Sequence, residues 1–182
     1  MNNYCNNLDF RFNAFDESFD YRNLSKDIHS ILPENSLNKK FLEFINSLGM
    51  YVSFAEVFYR APSDGIYGIH TDNYSGDYVK INYIFGGKDS TMRWYKVKPD
   101  APEKQVTESL ISTPNVAYDV HEVDLVYESQ LGFPSLIQVG IPHNVYNPIE
   151  ERWAVSLAFR DLVTKKRISM EDACNRFRDF II

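Results

Sequence analysis

The chain has 182 residues, a length that predicts one domain over residues 1–182 with little room for a second. Its net charge of −6 argues against non-specific binding to nucleic acid, which requires many Lys and Arg residues on phosphates. No apolar run reaches the roughly 20 residues of a membrane span and the first residues lack a signal-peptide pattern, so we expect a soluble, cytoplasmic protein.

The predicted helices lie towards the two ends of the chain. The first is predicted over Leu24–Leu32, before Pro33, and the second over Ser36–Leu48, whose apolar residues recur at helical spacing. Near the other end, Ser169 can cap a last helix with Asp172 three residues on.

Between these helices the hydrophobic period changes to two, which predicts short strands. They cover Tyr51–Tyr59, Tyr67–Thr71, Tyr78–Phe85, Met92–Val97, Val116–Val120, Asp124–Tyr127, Ser135–Val139, His143–Tyr146 and Trp153–Phe159. Turns are predicted at Asn73–Asp77 and Gly86–Asp89, and a polar loop at Asp100–Pro114. This segregated order predicts an α+β, mainly β protein, whose strands close into a barrel or a double-sheet jelly roll.

The first motif with chemical potential is Ile69–Asn73, which contains His70 and Asp72. Residues i and i+2 of a strand project to the same face, roughly 6–7 Å apart at the backbone, so both side chains can reach one small ion. A His-x-Asp pair arises often by chance, and the alternative is a strand-end histidine beside a turn aspartate.

The second motif is Val139–Val145, in which Pro142 directly precedes His143. A Pro-His step at the start of a strand fixes the backbone direction at the histidine. The alternative is a structural histidine beside a hairpin, which is the commoner case when the motif is taken alone.

The third motif is the strand Glu151–Phe159, in which large apolar residues alternate with small ones. The two faces are Trp153, Val155, Leu157 and Phe159 against Arg152, Ala154, Ser156 and Ala158. An arginine beside a space left by small residues suits a carboxylate, which its guanidinium binds through two hydrogen bonds. The alternative is an edge strand whose arginine faces water.

Together the motifs supply two histidines and one carboxylate on strands, the facial triad typical of non-haem iron(II). Arg152 follows His143 by nine residues, on the next strand. The order His-x-Asp, His, Arg over about Val52–Phe159 resembles the 2-oxoglutarate and iron(II)-dependent oxygenase superfamily, in its prolyl-hydroxylase-like branch.

The resemblance implies a double-stranded β-helix (jelly roll, cupin-like) core at about residues 51–160, with the N-terminal helices packed outside it and a C-terminal helix. It assigns Fe(II) to His70, Asp72 and His143, and 2-oxoglutarate to Arg152, with Ser156 on the same strand face. These residues would form the catalytic site.

The resemblance also covers two tyrosines and shows one departure. Tyr59 matches a cosubstrate or wall tyrosine by position, and Tyr83 matches a tyrosine whose hydroxyl meets the distal carboxylate of 2-oxoglutarate. Core packing is the alternative for both. The family usually has a Gly-Gly-x-Leu-x-Phe strand after the second tyrosine, whereas Gly86 and Gly87 lie upstream of that position here.

The implied activity is a hydroxylation that uses O2 and converts 2-oxoglutarate to succinate and CO2. The substrate is unidentified and is expected to be a small molecule or a peptidyl residue, with no nucleic acid or membrane as partner. The alternatives are a cupin-like metalloprotein that does not use 2-oxoglutarate and a non-catalytic jelly-roll binding domain.

A few further residues have simpler expectations. Cys5 and Cys174 lack disulfide or zinc spacing and are expected to be free thiols. His29 and His121 are expected to be structural or surface groups. Arg160 shares the parity of Arg152 and is the fallback carboxylate binder, although eight residues along the strand place it beyond the cavity.

Overall fold

The computed structural model describes residues 1–65, 68–72, 76–108, 114–132 and 134–182. It confirms a mainly β protein, with two antiparallel sheets and two α-helices in these ranges. The strands are β1 (Cys5–Asn7), β2 (His29–Ile31), β3 (Met50–Arg60), β4 (Ile69–Asp72), β5 (Val79–Gly86), β6 (Thr91–Val97), β7 (Thr107–Glu108), β8 (Pro114–Tyr118), β9 (Val123–Ser129), β10 (Ser135–Gln138), β11 (His143–Tyr146) and β12 (Arg152–Asp161). The helices are α1 (Lys39–Ser47) and α2 (Met170–Arg176), and 3-10 turns cover Tyr21–Asn23, Val120–Glu122 and Arg178–Phe180.

Each sheet contains six strands. The first sheet has the order β1-β10-β5-β12-β3-β2 and the second has the order β7-β8-β4-β11-β6-β9. From β3 to β6, and again from β9 to β12, consecutive strands alternate between the two sheets. This alternation brings β4 and β11 side by side, although they are far apart in the sequence.

Strand β12 lies between β3 and β5 and pairs with both. Its large residues join the main core together with residues of α1, α2 and the N-terminal segment, as the alternation predicts. Its small residues face the other way and line cavities that are closed on the far side by residues of the second sheet. The core members on β12 are Trp153, Val155, Leu157 and Phe159.

The helix predicted over Leu24–Leu32 is wrong. The chain there forms β2, which pairs antiparallel with β3 at the edge of the first sheet. The ring of His29 stacks on Phe58 at a centroid distance of 4.3 Å, and its Nε2 lies 2.7 Å from Glu56 Oε2. These tertiary contacts outweigh the weak helical preference of a short segment.

The other two predicted helices are confirmed with small shifts. The helix predicted over Ser36–Leu48 begins later, after Asn38, whose side chain accepts a hydrogen bond from the Lys40 backbone N–H. Ser169 caps α2 by accepting from the Asp172 N–H at 3.1 Å. No helix in the described part of the chain has the length and hydropathy of a membrane span.

The predicted strands of the sheets are confirmed, with three qualifications. The strand predicted from Tyr67 is observed from Ile69, and Tyr67 itself lies outside the described residues. Residues 73–75 of one predicted turn and 109–113 of the predicted loop also lie outside them. The same loop contains the short strand β7, and β1 lies where no element was predicted. Both cysteines are free, as predicted, and buried.

Candidate metal centre and adjoining cavities

The predicted triad meets between two neighbouring strands of the second sheet. β4 carries His70 and Asp72, and their two-residue spacing places both side chains on one face. β11 begins at His143, which lies directly opposite His70 in the antiparallel pair. The two imidazole rings are 4.7 Å apart between centroids.

The donor atoms of the triad are spaced for one small ion. They lie within 4.8 Å of one another. Asp72 Oδ1 is 3.4 Å from His70 Nε2 and 4.0 Å from His143 Nε2. Adjacent ligands of an octahedral ion lie about 3 Å apart when each bond is about 2.1 Å. Small side-chain rotations therefore bring all three atoms onto a single ion.

Backbone carbonyls orient both imidazoles. Nδ1 of His70 lies 3.0 Å from the Gly68 carbonyl oxygen, and Nδ1 of His143 lies 2.9 Å from that of Ile141. Each Nδ1–H donates to the backbone, which leaves both Nε2 atoms for a metal. Burial, together with the nearby charge of His70, lowers the pKa of His143 to about 4, so that this ring is neutral at pH 7.

A buried lysine holds the other oxygen of the triad carboxylate. Lys80 Nζ donates to Asp72 Oδ2 at 2.6 Å and also to Glu56 Oε1, while His29 contacts the second oxygen of Glu56. Burial opposes charge on Asp72, but Lys80 and the two triad histidines hold the pKa of Asp72 well below its usual value. The carboxylate is therefore ionised, with Oδ1 directed to the centre.

The sequence carries a signal for this network in the positions of Lys80 and Glu56. Lys80 stands between Val79 and Ile81 in a strand that reads as buried, and Glu56 stands in a similar position in β3. Charged residues in the middle of buried strands are rare unless they are paired. Burial alone would lower the pKa of Lys80, but the charges of Asp72 and Glu56 outweigh it and raise the pKa.

Arg152 shares a narrow cavity of about 50 Å³ with all three triad residues. Its side chain is buried, and it makes no hydrogen bond or ion pair with any residue that the structure describes; its Nε is one of the orphaned buried donors. Burial, and then the nearby charge of Arg60, lower its pKa to about 9, so that it remains a cation at pH 7. Ser156, as predicted, lines the same cavity.

Two glycines make room for Arg152. Gly86 and Gly87 both have positive φ values, +66° and +67°, which favour glycine. A Cβ on Gly87 would lie 2.7–2.9 Å from three carbons of the Arg152 side chain. The glycine pair that departs from the family pattern thus packs against the base of the predicted carboxylate binder.

The two predicted tyrosines face away from this cavity, so their assignment to the cosubstrate is wrong. Tyr83 pairs with Val155, on the core face of β12, and its ring packs against Phe15 at a centroid distance of 4.9 Å. Tyr59 pairs with Trp153 on the same face, and its hydroxyl donates to Glu151 Oε1 at 2.6 Å. The strand parity explains both positions, because the inward residues that line this cavity have even numbers on β3 and on β5; they are Phe58, Arg60 and Asn82.

One of those inward residues was missed by sequence reasoning. Asn82 lies opposite Ser156 and lines the narrow cavity, where its Oδ1 has no hydrogen-bond partner among the described residues. Among the described residues, the narrow cavity therefore combines an unpaired cation, Arg152, with an unpaired amide oxygen on Asn82. An anion satisfies the guanidinium, whereas the Asn82 oxygen accepts hydrogen bonds and requires a donor.

A wider cavity of about 470 Å³ adjoins the triad on the other side. The two cavities share five lining residues: Phe58, Arg60, Gly68, His70 and Asp72. Arg160 lines the wider cavity and not the narrow one, as its distance from Arg152 predicts. The triad thus lies where the narrow and the wide cavity meet.

A second group of potential ligands, Asp119, His121 and Glu122, is a weaker metal candidate. Glu122 already accepts hydrogen bonds from Lys104 Nζ and from the Asp119 backbone N–H, both at 2.7 Å. Asp119 and His121 are also less buried than the triad histidine His143. His121 is therefore a surface residue, as predicted.

Comparison with known proteins adds no family. No protein-family model matches the chain, and no curated protein matches it significantly.

Proposed function

We propose that this protein is a non-haem iron(II), 2-oxoglutarate-dependent dioxygenase that hydroxylates its substrate and releases succinate and CO2. The observation that carries the proposal is Arg152, a buried cation that has no partner among the described residues and lines the cavity that also holds the triad. A buried unpaired charge is costly, and a bound carboxylate removes that cost.

The strand order supports a double-stranded β-helix as the fold behind this activity. Eight strands, β3–β6 and β9–β12, alternate between two antiparallel sheets, with four of them in each sheet. Double-sheet jelly rolls solve the edge problem of antiparallel strands in this way. Ligand sites of β-barrels lie in the mouth between the sheets, where the triad is found.

The triad residues and Arg152 have separate roles in the proposed reaction. His70 Nε2, Asp72 Oδ1 and His143 Nε2 would hold Fe(II), which would activate O2, the oxidant of the reaction, beside the keto acid. Arg152 would bind the far carboxylate of 2-oxoglutarate and so orient the keto acid.

The supporting residues keep this arrangement fixed. Lys80 holds Asp72 Oδ2, which leaves one carboxylate oxygen for the ion. The Gly68 and Ile141 carbonyls keep both imidazoles in the tautomer that a metal requires. Apolar walls, which include Met92, Ile137 and Val139, limit water around the bound keto acid.

Two alternatives make different predictions. A cupin-like metalloprotein that does not use 2-oxoglutarate has no need of an arginine in the metal cavity, and the inward position of Arg152 disfavours it. A non-catalytic binding domain predicts no stoichiometric metal at the triad. Metal and cosubstrate binding therefore separate the three proposals.

The test measures metal and cosubstrate binding in the purified protein without oxygen. We expect one Fe(II) or Mn(II) per chain, and we expect His143→Ala to lose it while His121→Ala keeps it. Arg152→Met should keep the metal but weaken 2-oxoglutarate binding roughly 10- to 150-fold, since charged hydrogen bonds contribute about 1.5–3 kcal/mol. Arg11→Met, on the surface, is the matched control for loss of a positive charge.

With oxygen admitted, the metal-loaded protein should convert 2-oxoglutarate to succinate. Metal binding that survives His143→Ala, or 2-oxoglutarate affinity equal in Arg152→Met and Arg11→Met, would contradict the proposal. Because Arg152 makes no hydrogen bond with the described residues, its replacement should leave the free energy of unfolding unchanged or raised. This separates loss of binding from loss of fold.

A further inference from the structure

The outer end of the wide cavity carries two arginines that the proposed cosubstrate site does not use. Arg160 lies near the end of β12 and pairs, through an isolated antiparallel bridge, with Arg167. Both side chains line the wide cavity. The chain between them is a short hairpin, in which the Asp161 N–H donates to the Lys166 carbonyl at 2.9 Å.

Contacts within the protein hold both guanidinium groups in place. Arg160 Nη1 donates to the Lys165 carbonyl at 2.9 Å. The Arg167 guanidinium stacks over the Tyr78 ring, 4.8 Å from its centroid. Both groups are thus positioned before a ligand arrives, which reduces the entropy lost on binding.

Neither guanidinium has a carboxylate partner among the residues that the structure describes. The two carboxylates that line the wide cavity, Glu56 and Asp72, are already bound by Lys80. The outer end of the cavity therefore has two uncompensated positive charges, although the whole chain has a net charge of −6. Local positive charge at the mouth of a cavity attracts anions.

The distance along β12 separates this pair from the cosubstrate arginine. Arg152 and Arg160 are eight residues apart, roughly 26 Å along a strand, which one small dicarboxylate cannot span. By contrast, Ala158 lies opposite Lys80, which bonds to Asp72, and Arg160 is only two residues, roughly 7 Å, beyond Ala158. The pair is therefore within reach of a molecule that also touches the triad.

Resting on the function proposed above, we infer that Arg160 and Arg167 bind an anionic group of the substrate, a carboxylate or a phosphate. The rest of the substrate extends towards His70 and Asp72. Aromatic side chains line the wide cavity between the two ends, so this part of the substrate is apolar or planar; they are Phe54, Phe58 and Tyr78. The substrate class is thus a small acid or phosphoester, or a residue that bears such a group.

The experiment follows anion binding directly, with inorganic phosphate and butyrate as the two probes. Each is titrated into metal-free protein in the Arg152→Met background, so that the narrow cavity does not contribute. The arginine Nε–H resonances, assigned by single variants, report where the probe binds. We expect saturable shifts confined to Arg160 and Arg167, and the tighter probe identifies the anion as phosphate or carboxylate.

Removal of either arginine should weaken the tighter probe about tenfold or more, as expected for a charged hydrogen bond. Lys166→Gln removes the same charge from the same hairpin, outside the cavity lining, and should change the affinity less than twofold. Arg160→Gln also loses a hydrogen bond to the hairpin, and that loss can prevent folding. Arg167→Gln loses a ring contact with Tyr78, and in that case its affinity for the probe tests the inference.

Equal weakening by Lys166→Gln and Arg167→Gln, or no saturable binding of either probe, would overturn the inference. This result is independent of the oxygenase test, because the probes need neither metal nor 2-oxoglutarate. Failure of metal or 2-oxoglutarate binding, with anion binding intact, would overturn the proposed function and leave an anion site in place.

Discussion

The buried lysine beside the triad offers the sharpest test of how this site is held together. Lys80 has 6% of its side chain exposed and bonds to two carboxylates, Asp72 and Glu56. Lys80→Met keeps an unbranched apolar side chain but removes the ammonium group. The variant leaves the buried Glu56 with His29 as its remaining side-chain partner among the described residues, and it leaves Asp72, 18% exposed, without the ammonium group.

We expect Lys80→Met to lower the free energy of unfolding by about 3–5 kcal/mol, which is the cost of removing one partner of a buried ion pair. For a chain of this size each kcal/mol corresponds to roughly 2–4 °C in Tm. We therefore expect Lys80→Met to lower the Tm of the metal-free protein by roughly 6–20 °C. A divalent ion at the triad should restore part of the loss, because it neutralises Asp72 in place of the ammonium group.

The assays are thermal unfolding, which gives the Tm, and urea unfolding, which gives the free energy of unfolding; both use the metal-free protein and tryptophan fluorescence. Lys40→Met, on the exposed surface of α1, is the control and should change the free energy of unfolding by less than about 0.5 kcal/mol. The double variant Lys80→Met/Glu56→Gln should be more stable than Lys80→Met, because it removes one of the stranded charges. A loss below about 1 kcal/mol in Lys80→Met would refute the buried-pair reasoning.

Two further predictions concern Gly87, which packs against Arg152, and the stability of the protein at acid pH. Gly87→Ala places a methyl group 2.7–2.9 Å from the Arg152 side chain and should weaken 2-oxoglutarate binding. Gly132→Ala is the control, because the space around Gly132 is open, and should not change the affinity. Calorimetric titration measures the 2-oxoglutarate affinity of both variants. Hydrogen bonds from the Thr164 backbone and then from Arg176 lower the pKa of Asp161, so its stabilising contribution is present above pH 3.8 and is lost as the pH falls through its lower folded value. Asp161→Asn should therefore flatten the decline of the urea midpoint below pH 4, and an unchanged slope would contradict this assignment.

The shared face of His70 and Asp72 and the inward position of Arg152 could be predicted because they depend on strand parity, whereas His143 joins them through the pairing of β11 with β4, which the family resemblance implied. A two-residue spacing fixes that His70 and Asp72 share a face, and the alternation of β12 fixes that Arg152 shares a face with Ser156. The same parity places Tyr83 on the core face of β5, because Tyr83 alternates with Lys80, Asn82 and Ile84 along the strand. The family resemblance matched Tyr83 by its position in the sequence, which takes no account of that alternation.

What the sequence did not predict depends on contacts between distant segments. β2 is a strand only because β3 offers an edge, with Phe58 and Glu56 placed to receive His29. The charge network of Lys80 likewise joins three strands, and no local pattern indicates which carboxylates a buried lysine will meet. Pairing between strands far apart in sequence decides both.

The position of β12 between two partners has a consequence for how such a protein can diverge. Changes to Arg152 or Ser156 must preserve pairing on both sides, because the strand bonds to β3 and β5 along most of its length. Among the described residues, the pairing of β12 with β3 ends at Asp161, opposite Met50, so the hairpin residues that follow can vary at little cost to that pairing. Residues at the outer end of the wide cavity can therefore change, or be redesigned, while the strand pairing around Arg152 and Ser156 is kept.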